Sequence, residues 1–265
     1  MRWTGSRTRQ VAVTASFLIC VLGAISGAGL LGLVPVSDAA GGLLSPESTQ
    51  LAPASPAFSV WSLIYVALGA YTIWQWWDHS DPRALGWPLA ASMLLNAVWI
   101  VTVQAGLIRV SVLVIAALLA VLVVVFRRCL RARPRSVVEA AVADGAAGLY
   151  LGWVIIALSA NLAAAVAGSG GEGIARSAIW ATAALAVIAL AGVAVAVLGR
   201  GRLTVAATMA WGLSWIAVAR ATGEPASTVT AVAAGTAAAV ILLATALARV
   251  RTELGSPPAA ASEDG

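Results

Sequence analysis

The residues of this chain best suited to hold a small molecule are aromatic rings and amides. In GLYLGWVIIALSAN, Tyr150, Trp153, Ala157 and Asn161 recur at three- and four-residue spacing. At 100° per residue they fall within an arc of roughly 80° on a helix, a stripe of two rings, a small gap and an amide. SMLLNAVW supplies Asn96 and, three residues on, Trp99. An asparagine in hydrocarbon is unfavourable unless its amide finds partners, so Asn96 is expected to face protein or a polar ligand. PASPAFSVWSLIY puts Phe58, Trp61 and Tyr65 on one helical face behind Pro53 and Pro56. Each feature also has a plainer use, since tryptophans anchor at membrane interfaces and asparagines join helices. Trp3, Trp76, Trp77 and Trp87, near span ends, are assigned to anchoring. Trp211 and Trp215 fit either packing or a second cavity.

Chemistry by acids or nucleophiles has little to draw on. Asp78, Asp81, Glu139 and Asp144 lie near spans, without a spacing that suggests a carboxylate dyad or a metal site. Asp144, near the start of a span, is the one placed to be buried. Cys20 and Cys129 have no sequence partner, and the single His79 precludes histidine clusters. No metal, no cofactor and no catalytic residue is expected.

These residues sit in a chain that is 61% hydrophobic and 10% charged, with a mean hydropathy of +0.94. Soluble domains carry about 25% charged residues, so the expected fold is an all-α membrane protein. Runs of about 20 apolar residues predict eight transmembrane helices near 11–34, 57–77, 86–105, 110–127, 143–167, 177–199, 203–220 and 227–248. The first is expected to be a retained helix rather than a signal peptide, with Gly23, Gly27 and Gly29 suited to close helix packing. The longest loop, about 35 to 56, reads as a folded cover. The basic residues are all arginine, and nucleic acid is not the expected partner, because they collect between spans. With the N-terminus cytoplasmic, thirteen of the sixteen fall in inside segments, leaving Arg109, Arg176 and Arg220 opposite. That predicts an integral plasma-membrane protein with both termini cytoplasmic. Residues 1–10 form the N-terminal segment and 249–265 a disordered tail.

The three quoted stretches, in order on the second, third and fifth predicted spans, resemble the TspO/MBR family of translocator and tryptophan-rich sensory proteins. PASPAFSVWSLIY is similar to the family's proline-rich P-P-x-W-V-F-G-P-V-W-x-x-L-Y, SMLLNAVW to L-x-L-N-x-x-W, and GLYLGWVIIALSAN to P-Y-L-x-W-V-x-F-A-x-x-L-N. The resemblance covers roughly 11–167 and implies a five-helix bundle, with three additional helices over 168–248. It implies a site for porphyrins, sterols or synthetic aromatic ligands. Trp61 and Tyr65 belong to its second-helix stripe, Asn96 and Trp99 support it, and Tyr150, Trp153, Ala157 and Asn161 line it from the fifth. The loop before Pro53 is then a lid. The sequence departs from the pattern at Ser55, where the family has tryptophan, at Leu149 for proline and at Ile156 for phenylalanine. The expected function is a membrane-embedded binding or sensory protein for a hydrophobic planar molecule, with transport as the alternative and porphyrin modification disfavoured by the departures. Besides ligand and lipid bilayer, a homodimer is one assembly left open.

Overall fold

The computed structural model describes residues 2–30, 32 and 34–254, with side chains from Ser6 onward. The Trp3 side chain and most of the expected C-terminal tail lie outside these. Among the described residues eight helical stretches are long and apolar enough to cross a membrane, the second running over Ser55–Trp74 and the fifth over Val137–Ala167. Their α-helices are α1 (Arg2–Gly27), α2 (Val60–Trp74), α3 (Gly86–Gln104), α4 (Ile108–Arg131), α5 (Ala146–Ala167), α6 (Ala178–Leu198), α7 (Leu203–Thr222) and α8 (Thr228–Leu254). The all-α, eight-span expectation stands.

The boundaries differ from the apolar runs where local chemistry overrides composition. α1 ends at Gly27, and Gly29 adopts φ 79°, the left-handed conformation that terminates helices cheaply only in glycine. Gly29 therefore ends the helix instead of packing it. Gly23 and Gly27 do pack: a Cβ on Gly23 would lie 3.4 Å from Ala97, and one on Gly27 would lie 3.1 Å from Ile100. Ser55–Ser59 is a 3₁₀ turn leading into α2 with proline in its first turn, where a missing amide hydrogen costs least. At the other end of the chain α8 continues through Arg249 and Arg251 to Leu254, since arginine is a good helix former outside the membrane.

Before α5 the chain makes a π turn over Ala140–Gly145, after a short helical segment Val137–Glu139. Glu139 and Asp144 are five residues apart and would diverge by roughly 140° on an α-helix. The i→i+5 closure of a π turn brings such residues nearly into line. Both accordingly meet one guanidinium: Arg83 Nη2 lies 2.9 Å from Glu139, and its Nη1 pairs with Asp144. The other Asp144 oxygen accepts from Arg202 at 2.5 Å.

The last three helices are not an appendage. α7 packs directly on α5 through Gly148, Gly152 and Gly212, small residues that allow close backbone approach. A Cβ on Gly152 would stand 2.3 Å from the carbonyl oxygen of Val205, and one on Gly212 2.8 Å from Ile156. α8 in turn packs on α7 and α6. Arg9, Arg83, Arg128, Arg135, Arg202 and Arg249 gather at one end of the bundle, where Arg9 pairs with Asp81 and Gly201 abuts the backbone of Arg249. Arg176 and Arg220 lie at the opposite end, beside the 35–56 loop.

Candidate functional site

Trp61 is the centre of the aromatic cluster. It stacks on Tyr65 at 5.5 Å and 14° and on Trp99 at 5.9 Å and 30°. It also meets Tyr150 and Trp153 edge-on at 6.0 and 6.1 Å. These separations lie in the range where ring quadrupoles favour offset and T-shaped pairs. Phe58, one turn earlier on the same face, meets Trp153 edge-on at 6.1 Å. The three- and four-residue spacing of Phe58, Trp61 and Tyr65 thus does align them, and the fold turns that face inward against α3 and α5.

The two asparagines hold this cluster in different ways. Asn96, fully buried, donates to Tyr65 Oη at 3.0 Å and to Cys20 Sγ at 3.4 Å. Its Oδ1 has no hydrogen-bond partner among the described residues. Tyr65 Oη is an acceptor in this bond, which leaves its own proton available to another group. Asn161 accepts from Trp99 Nε1 and from Ser111 Oγ, both at 3.1 Å, and donates to the Ala157 carbonyl at 2.8 Å. It joins α3, α4 and α5, the bond between helices that polar side chains make in lipid. Tyr150 is wholly buried and donates to the Ser92 carbonyl at 3.2 Å.

Two spaces flank Trp61. The larger, about 400 Å³, lies between α1, α2 and α3, walled by Ala24, Ile25, Phe58, Trp61, Tyr65 and Trp99, with Val36 of the loop at its edge. The smaller, about 20 Å³, lies on the α5 side, lined by Trp61, Trp99, Trp153, Ala157 and Asn161 and closed by Leu44 and Pro53 of the loop. A water molecule needs roughly 10–15 Å³, so this chamber is the size of one water and far below a ligand pocket. Trp153 Nε1 is buried with no partner among the described residues.

The expected site residues therefore divide. Trp61, Tyr65 and Trp99 line the large cavity, with Asn96 behind Tyr65. Trp153, Ala157 and Asn161 line the small chamber, and Tyr150 packs edge-on against Trp61 without lining either. Of the departures from the family pattern, Ser55 is exposed in the 3₁₀ turn, while Ile156 is buried and lines the small chamber. The α1 wall, with Ala24 and Ile25, was not singled out by sequence. Its signal was the small-residue run GAISGAG, which reads as packing and serves both purposes. Trp211 and Trp215 pack edge-on at 5.6 Å, and Trp211 Nε1 donates to the Ala57 carbonyl at 3.0 Å, gripping the entrance to α2. Asp144 is buried, as expected, but within an ion-pair network, and it is not alone: Glu139 is buried beside it. Trp76, Trp77 and Trp87 are exposed near helix ends, as anchors are.

Among the described residues no group of histidine, cysteine and carboxylate side chains could hold a metal. Both cysteines are free and buried. A family model for TSPO-like proteins matches residues 11–247, all but the outermost turns of the eight helices and well past the stretch over which the motifs run. No curated protein and no solved structure matches the chain.

Proposed function

We propose, from the premise that this chain belongs to the TSPO-like protein family, that it is a membrane-embedded binding protein for a planar, apolar small molecule of porphyrin or sterol type. The observation that carries this reading is the 400 Å³ cavity, walled by the rings of Phe58, Trp61, Tyr65 and Trp99 and by aliphatic side chains of α1. Its volume falls within the range of roughly 300–1,000 Å³ typical of small-molecule sites. A wall of aromatic rings favours an apolar aromatic or fused-ring partner, and the uncommitted Tyr65 proton favours one that carries a hydrogen-bond acceptor. The carboxylates Glu139 and Asp144 are engaged by Arg83, Arg135 and Arg202 and do not line the cavity, which favours binding over catalysis. The arginine-rich end is assigned to the cytoplasm by the bias of basic residues toward inside loops, and the 35–56 loop to the opposite face.

Titration of the purified protein with protoporphyrin IX, followed by quenching of tryptophan fluorescence, tests the reading. Tyr65→Phe should weaken binding about fivefold to tenfold, the value of one neutral hydrogen bond of ~1 kcal/mol. Trp76→Ala, at an exposed position 43% accessible, should leave affinity unchanged. Absence of saturable quenching, or equal loss in both variants, would sink the assignment of this cavity. Uptake into sealed vesicles separates binding from transport.

A further inference from the structure

We propose that α6–α8 act as the latch of the lid, and that Arg220 is its positioning residue. On the reading that the large cavity, with Val36 of the loop at its edge, serves a ligand, this assigns a role to the last three helices: they govern access. The loop meets α7, the segment before α6 and the turn between α7 and α8 in a series of hydrogen bonds. Arg220 Nη2 donates to the Pro46 carbonyl at 2.5 Å, and Arg176 Nη2 donates to the Glu47 carbonyl at 2.9 Å. Gln50 N donates to the Ala175 carbonyl at 3.0 Å, and its side-chain amide donates to the Pro225 carbonyl at 3.3 Å. Farther along, Ala54 N donates to the Trp215 carbonyl at 3.2 Å, and Trp211 Nε1 donates to Ala57. The bonds bracket Pro53, which with Leu44 closes the small chamber.

Arg220 is the unusual member. Its side chain is 1% accessible, and no carboxylate lies within ion-pair distance among the described residues. A buried guanidinium is costly unless it is hydrogen-bonded. Here Nη1 donates to the Pro225 carbonyl at 3.0 Å and Nη2 to Pro46, so a planar fork ties the lid to the turn between α7 and α8. A lid that lifts takes the Pro46 oxygen away and leaves a buried charge with one donor fewer satisfied. Closure is thereby coupled to a position on α7, a helix whose place on α5 is fixed by Gly148 and Gly152. The loop also buries Val36, Ala39, Leu44 and Leu51 in the core; the latch adds directional bonds to this apolar contact.

The test uses the full-length protein in membranes and a lid reporter that requires no ligand. Thr49 is 1% accessible and its hydroxyl has no partner among the described residues, so Thr49→Cys is nearly volume-conserving and gives a thiol hidden while the lid is shut. Cys20 and Cys129 are buried, and the parent without Thr49→Cys gives the background. Maleimide labelling of a transiently opened segment follows the open population. Arg220→Met should raise the labelling rate about tenfold or more, which is ~1.4 kcal/mol in the opening equilibrium. Arg220→Lys should restore part of the protection by keeping one donor on Pro46. The milder Arg176→Met, at an exposed residue, should raise labelling about threefold and serves if Arg220→Met does not assemble. Arg249→Met, at the opposite end, should leave labelling within twofold. Labelling unchanged in both latch variants, or raised equally by Arg249→Met, would overturn the proposal. If labelling responds as expected while protoporphyrin IX fails to bind the parent, the latch stands and the ligand assignment falls.

Discussion

Replacing Gly152 with alanine should loosen the contact on which the eight-helix architecture depends. The added Cβ would stand 2.2 Å from Thr208 Oγ1 and 2.3 Å from the Val205 carbonyl oxygen, where a carbon–oxygen contact normally needs about 3.3–3.6 Å. The threonine hydroxyl can rotate, but the carbonyl belongs to the backbone of α7. Relief therefore requires the two helices to separate by roughly 1 Å, and rigid overpacking of this kind costs about 1–3 kcal/mol. The upper end applies because no flexible side chain can yield. Against it stands the better helix propensity of alanine, ~1 kcal/mol, so the net destabilisation is about 2 kcal/mol. Gly235 on α8 is the control: it is exposed and a Cβ there meets nothing within 4 Å, so Gly235→Ala should be neutral or stabilising by up to ~1 kcal/mol. Gly148→Ala should fall between them, since its nearest contact is the rotatable Thr204 hydroxyl at 2.0 Å. Reversible detergent unfolding followed by tryptophan fluorescence measures all three. Equal midpoints for Gly152→Ala and Gly235→Ala would refute the close docking of α7 on α5.

Asp144→Asn should destabilise the protein by about 2–3 kcal/mol in the same assay. That is less than the 3–5 kcal/mol for breaking an isolated buried ion pair, because Arg83 keeps Glu139 at 2.9 Å; Glu139→Gln combined with it should exceed the sum of the single effects. Asp78, in the loop after α2, gives a pH-dependent outcome. Partial burial raises its carboxyl, but hydrogen bonds from Ser80 and Arg135 outweigh this and hold it below the ordinary 3.8. A lowered folded value contributes stability that is present above the ordinary range and is lost as pH falls through the folded value. The stability gap between the parent and Asp78→Asn should therefore persist at neutral pH and close below about pH 3.8, and a gap that stays constant down to pH 2.5 would contradict the assignment.

Span number, the helical class and the alignment of aromatic residues on α2 and α5 are set by local periodicity, which the sequence carries by itself. Twenty apolar residues cross a bilayer whatever their neighbours, and residues three and four apart share a face whatever that face meets. The division of arginines between two ends was legible for the same reason, because it needs only the order of the spans. What each face meets is a long-range matter. Tyr150, Trp153, Ala157 and Asn161 form the stripe that spacing predicts, yet Trp61 packs edge-on against Tyr150 and Trp153, and rings on α2 and α3 line the large cavity in their place. The motif similarity stops at 167, where the aromatic markers stop, because α6–α8 are joined to the rest by features too plain to read as motifs. These are two glycines one turn apart on α5, carbonyls of an irregular loop and a buried arginine on α7. The meeting of Glu139 and Asp144 depends on a π turn that propensity does not announce. Glycine, backbone carbonyl and helix register acquire meaning only from the element that approaches them, and that approach is decided by the packing of the whole bundle.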